Sequence, residues 1–253
     1  MFSYPEFDKN GEKILTEMNG INSNMLMDIS VFKLLKDEKK MFNIPNKELV
    51  ILLTEGKIRL VSGDIDYVAD RKNIFDDLPT CLHVCKNTEV TIFALEDSEF
   101  IYQSTTNDRI FDTKLYEKKD IICSVSCEGK WENTAVRDVN TIFDYENAPY
   151  SNMVVGEVLA RQGRWWSYVP HSHPQPEVYY YKFLRNEGFG ACFIGDDAHK
   201  IKDGSVGCFE GGFTHVQVTA PGFPMYCCWM IRHLENNPWK KTRNVDSRYE
   251  WLD

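Results

Sequence analysis

His171 and His173 stand one residue apart in "HSHPQPEVYYYKF", and Glu177 follows four positions after the second histidine. A third imidazole, His215, lies in "DGSVGCFEGGFTHVQVTAPG". Three imidazoles and one carboxylate suit a borderline divalent ion: Zn²⁺, Mn²⁺, Fe²⁺, Co²⁺ or Ni²⁺, with zinc or manganese favoured. Such a set leaves coordination positions open for water or substrate. The bound ion could then act as a Lewis acid on a carbonyl and its neighbouring hydroxyl.

The spacing also has a structural meaning. Strand side chains alternate between faces, so His171 and His173 point the same way. Proline suits a turn and not a central ladder, so "PQP" turns the chain and Glu177 heads the next strand. Tyr179, Tyr181 and Phe183 share the face of Glu177, while Val178, Tyr180 and Lys182 share the other. Gln217, two past His215, faces inward with it.

The elements that must hold these residues are short strands. "ELVILLTEG", "KIRLVSG", "VTIFALE" and "EFIYQST" fill residues 48–104. "NMVVGEVLA", "WWSYVP", "EVYYYKF", "FGACFIG", "SVGCFEG", "HVQVTA" and "PMYCCWMIRH" fill 152–233. Each is rich in β-branched or aromatic residues and bounded by Gly, Pro, Asn or Asp, which predicts an all-β sandwich or barrel. One short helix is expected at "NGEKILTEM". The two halves read as a distant repeat in which Glu48 aligns with Glu177. Two β domains follow, 1–126 and 127–253, joined by the polar stretch 127–151. The first half offers Asn43 and Asn46 where the second has its paired histidines, with His83 as its sole imidazole. It is therefore expected to be a structural domain without a metal site. His83, His199 and His233 are expected in non-ligand roles.

The chain has 253 residues, 43% of them hydrophobic, and a formal net charge of −9. That balance argues against nucleic acid and anionic membranes as partners. It leaves room for a small anionic substrate, because a local cation or metal can oppose the global field. Eight cysteines occur without a CxxC pair, which reads as reduced, mostly buried thiols. With no signal-like start and no run of about 18 apolar residues, a soluble cytoplasmic protein is expected.

"GRWWSYVPHSHPQPEVYYYKF" followed by "DGSVGCFEGGFTHVQVT" resembles the two cupin motifs. Glu210 stands where the second motif has proline. "TAVRDV", "EGFGACFI" and "APGFPMYCCWMI" extend the likeness to the 5-deoxy-glucuronate isomerases of inositol catabolism and the related 5-keto-4-deoxyuronate isomerases of pectin breakdown. "PQP" is shorter than the acidic insertion usual in the inositol enzymes, and the spacing is closer to the pectin-pathway relatives. The resemblance implies two tandem jelly-roll barrels, a bicupin, and a divalent metal held by His171, His173, Glu177 and His215. It implies aldose–ketose isomerisation of a small anionic sugar, 5-deoxy-D-glucuronate, with 5-keto-4-deoxyuronate or a non-catalytic sugar-binding cupin as alternatives. A homo-oligomer is implied too. The proton-transfer group stays open between Glu210, Tyr179 and a metal-bound hydroxide. Tyr181, Gln217, Arg161 and Arg137 are the candidate substrate contacts. Lys182 and Arg232 are further cations that could meet a carboxylate, for which a bidentate arginine is best suited.

Overall fold

A computed structural model describes residues 1–252. Its regular structure is strand, with a few 3₁₀ turns. Among the described residues no helix is long and apolar enough to cross a membrane. The chain separates into two compact units: Met1–Pro5 with Ile122–Asn147 and Met153–Asp253, and Glu6–Ile121 with Ala148–Asn152. The cut falls at 121/122 rather than 126/127, and a short segment of each half belongs to the other unit.

In the C-terminal unit a seven-stranded sheet runs Phe2–Ser3, Val206–Phe209, Glu177–Phe183, Met225–Arg232, Met153–Ala160, Arg137–Phe143, Ile122–Ser126. A five-stranded sheet runs Asp197–Lys202, Phe189–Ile194, His215–Thr219, Trp165–Ser172, Asn244–Val245. Their facing side chains make one core, with Tyr179, Tyr181, Phe183 and Trp229 from the first sheet against Trp166, Cys192 and Ile201 from the second. Residues 137–143 are thus a sheet strand and not part of a polar joiner. Asp138 and Val139 alternate faces there, and the strand is paired on both edges.

The N-terminal unit hangs on one 16-residue strand, Lys47–Ser62. The sequence suggests two strands here with a glycine turn between them. The chain instead bends within one strand at Gly56, whose φ of +99° and crowding against the Asp97 carbonyl suit only glycine. The part before the bend pairs with Ser98–Thr106 and Cys81–Val84, and the part after it with Ile65–Arg71 and Glu89–Ala94. The interior is filled by Leu49, Ile51, Leu53, Leu82, Ile92 and Phe100, among others. Glu48 sits at its margin, buried, and accepts from His83 Nε2, Ser151 Oγ and the Asn152 amide.

The helix expected at "NGEKILTEM" is a strand, Glu12–Thr16, antiparallel to Asp28–Leu34. Leu15 is buried and Ile14 exposed, the alternation of a sheet. Long-range pairing outweighs a weak local helix preference.

Gly156 is packed against the wall of the cavity described below. A Cβ there would fall 2.2 Å from Trp229 Cζ2. Gly156→Ala is expected to lower unfolding stability by about 1–3 kcal/mol through overpacking, read by urea denaturation. An unchanged midpoint would contradict this packing.

Candidate metal centre

The strand Trp165–Ser172 delivers His171 near its end, and His173 follows immediately. The chain then bends through Pro174 and Gln175 before Glu177 opens the next strand. The turn before His215 is packed onto this bend. The Gly212 amide donates to the His173 carbonyl at 2.9 Å, and any Cβ on Gly211 would lie 2.0 Å from the Pro174 carbonyl oxygen. That contact needs glycine. It sets His215 directly across the ladder from His171, so both side chains leave the same face.

His173, Glu177 and His215 come together, each offering a ligand-type atom within 4.8 Å of the others. All are buried: Glu177 is 3% exposed, His173 5% and His215 2%. Glu177 Oε2 lies 3.1 Å from His173 Nε2 and 3.2 Å from His215 Nε2. His171 stands beside this group, its ring centroid 5.1 Å from that of His215. The structure therefore gathers three of the four expected ligands closely and places the fourth alongside.

The tautomers follow from the backbone. His171 Nδ1 donates to the Val169 carbonyl at 2.8 Å, and His215 Nδ1 to the Phe213 carbonyl at 3.2 Å. Each ring is thereby anchored through Nδ1, leaving Nε2 with a lone pair, the arrangement that orients imidazoles for metal binding. His215 Nε2 and His173 Nδ1 are buried without a hydrogen-bond partner among the described residues. His215 Nε2 is directed at the Glu177 carboxylate 3.2 Å away, so that one cation would meet both atoms. Burial pulls the Glu177 carboxyl upward, but His173 and His215 outweigh it and hold the group below its ordinary range. His171 is pushed down to about 3 by burial, with the charges of Arg243 and His215 adding to it, so it is neutral at physiological pH. A buried carboxylate, a neutral His171 and orphaned ring nitrogens together fit a divalent ion.

His171, His173 and Glu177 open onto a cavity of about 490 Å³. Trp166, Trp229 and Trp239 form aromatic walls, and Tyr179 lies on the floor with its ring 5.7 Å from that of His215. Burial raises the Tyr179 phenol well above its ordinary value, so it keeps its proton. Arg137 lines the cavity and is 2% exposed. Its Nη1 touches only Cys127 Sγ (3.2 Å) and the Ala135 carbonyl (3.1 Å). No acidic side chain pairs with it among the described residues, which is unusual for a buried guanidinium.

Other expected contacts lie elsewhere. Tyr181 is buried beneath the cavity, its hydroxyl 3.6 Å from Cys192 Sγ, and Gln217 Nε2 reaches the same sulfur at 3.7 Å. Both face inward as alternation predicts, but below the lining. Arg161 is 55% exposed and paired with Asp138 at 2.9 Å, outside the cavity. Glu210 is exposed on the turn, next to Gly211, which packs onto the Pro174 carbonyl. Lys182 and Arg232 are also absent from the lining. Away from the centre, His199 stacks on Phe2 and His233 accepts the Trp239 amide proton.

Among the lining residues not singled out from the sequence are Trp239, Lys241 and Arg243, in an irregular C-terminal segment that bends at Lys241. Their period of two in "WKKTR" is the only signal they give. Lys241 is paired with Glu146 (2.7 Å) and Asp144 (3.1 Å).

The sequence matches the KduI/IolB family over residues 2–252. It is 23% identical over 262 residues to a protein named 5-deoxy-glucuronate isomerase in Bacillus licheniformis, spanning 96% of this chain and 93% of that one. It is also 23% identical over 193 residues to the same-named protein of Bacillus subtilis, spanning 71% and 70%. Among solved structures, an IolB-like protein from Salmonella typhimurium superposes with a TM-score of 0.89 at 17% identity, over 99% of this chain and 98% of that one. An oxalate decarboxylase superposes with a TM-score of 0.63 at 12% identity, over 92% and 77%. These likenesses establish the all-β bicupin fold.

Two outcomes test the centre. His173→Ala should lower bound metal in the purified protein, measured by elemental analysis; an unchanged stoichiometry would refute the site. In metal-free protein, His171 refuses a proton that the unfolded chain accepts below its ordinary value near 6.5. Its folded pKa is depressed, so stability falls as pH drops from that value toward 3, by at most about 1.4 kcal/mol per pH unit. Glu177, also depressed, adds a loss in the acidic range below its own ordinary value. Urea midpoints between pH 7 and 5 should drop less in His171→Asn than in the native chain; equal slopes would contradict the burial assigned to His171.

Proposed function

We propose that this chain, which belongs to the KduI/IolB family, is a metal-dependent aldose–ketose isomerase converting 5-deoxy-D-glucuronate to 5-dehydro-2-deoxy-D-gluconate. The names of its relatives support an isomerase of this kind. The observation that carries the reading is a single cavity joining a buried His/Glu cluster to a buried arginine with no acidic partner. The cluster suits a centre that polarises a carbonyl, and the arginine suits a carboxylate.

A divalent ion held by His173, Glu177 and His215, with His171 beside them, would supply the Lewis acid for the carbonyl and adjacent hydroxyl oxygens. Arg137 binds the far carboxylate through its guanidinium. The tryptophan walls exclude water and fix the sugar's orientation, lowering the entropic part of the barrel-bound reaction's barrier. Isomerisation moves one proton from C2 to C1 while another passes between the two oxygens. Tyr179, protonated and facing the cluster, donates a hydrogen bond to the substrate oxygen whose charge grows. Glu210 is too far out on the surface to take part.

The short "PQP" bend favours a second substrate of the same class, 5-keto-4-deoxyuronate. Incubating metal-loaded protein with each uronate and following the product by NMR decides between them. Turnover of 5-deoxy-glucuronate is expected; no turnover of either would sink both isomerase readings and leave a sugar-binding cupin. Tyr179→Phe should lower kcat by roughly 100-fold while keeping its metal. Full activity in that variant would remove Tyr179 from the chemistry.

A further inference from the structure

We infer that the substrate's carboxylate is read by two guanidiniums, Arg137 from the barrel and Arg243 from the C-terminal segment, and that Trp239–Val245 is the wall that sets anion specificity. This rests on the reading of the cavity as a uronate site, and names what recognises the acid end.

Arg243 is exposed at the cavity lining and makes no hydrogen bond or ion pair among the described residues. It lines the same cavity as Arg137, His171 and Tyr179. Arg137 and Arg243 therefore repel each other in the same cavity. The nearby acids do not relieve this. Asp144 and Glu146 are engaged by Lys241, and Glu177 is engaged by the imidazoles. With Glu177 committed to the histidine cluster, Arg137 and Arg243 are cations of the lining without an acidic partner among the described residues, in a chain whose formal net charge is −9. An anion placed between them removes their repulsion and gains charge-assisted, forked hydrogen bonds.

The segment that carries Arg243 is held at both ends. The Trp239 amide donates to His233 Nδ1 at 2.9 Å, and the Asp246 amide to the Pro170 carbonyl at 3.0 Å. Between them, Asn244 and Val245 pair with Ser172 and His171 of the histidine strand. Arg243 is thus fixed one residue from a ladder that also fixes the metal centre. The spacing between cation and centre is built in, so the wall selects both the charge and the length of the sugar acid.

Calorimetric titration with D-glucuronate and with D-glucose tests this without turnover. The native protein should bind the acid at least about tenfold more tightly than the neutral sugar, the scale of a charged hydrogen bond. Arg243→Gln should lose most of that preference, and Arg243→Lys should keep part of it. Arg248→Gln removes a charge that is paired with Asp246 and absent from the cavity lining, and should change nothing. Equal preference in Arg243→Gln and native protein, or no preference in native protein, overturns the inference. Isomerase activity with an unaltered preference in Arg243→Gln would sink this inference alone. Lost preference in a protein that turns over neither uronate would sink the isomerase reading alone.

Discussion

Glu177 is a buried carboxylate that pairs with no lysine or arginine among the described residues. Its neighbours are imidazoles, and one of these has its proton committed to a backbone carbonyl on the far side of the ring. Burying such a charge is costly unless a cation shares the space. The structure around it is arranged to keep that cost in place. Two glycines let one turn press onto the Pro174 bend, and the ladder sets His215 opposite His171. Backbone contacts close this part of the geometry.

The same cavity is lined by Arg137 and Arg243. On the proposed reading the cluster would hold a cation and the two arginines an anion. The protein's overall charge would repel the proposed anionic sugar, and the local arginines would oppose that field in the cavity. Trp166, Trp229 and Trp239 line this cavity too, and apolar walls lower the local dielectric and strengthen electrostatic interactions within it.

The metal-type residues were legible because their chemistry and their strand periodicity agree. His173, Glu177 and His215 are close in space for the reason their spacing gives. Alternation identified the face of Tyr181 and Gln217 correctly, but a face is not a depth. Both pack around Cys192 under the cavity floor. Arg137 and Arg161 look alike in sequence. What separates them is that Arg161 meets Asp138 at the surface while Arg137 points into the interior. Glu210 was placed near the centre by its neighbours in sequence, yet it is exposed on the turn, next to Gly211. Arg243 was invisible because three alternating residues near a chain end make no pattern by themselves. Strand Glu12–Thr16 was read as helix because its partner lies elsewhere in the sequence.

The central claim is that a divalent cation completes the charge of Glu177 among the histidines. Anomalous diffraction from crystals of the protein soaked in zinc tests it most directly. The account predicts one strong peak, about 2.0–2.2 Å from a Glu177 oxygen and from ring nitrogens of His173 and His215. No peak there, with zinc bound elsewhere or not at all, would contradict it.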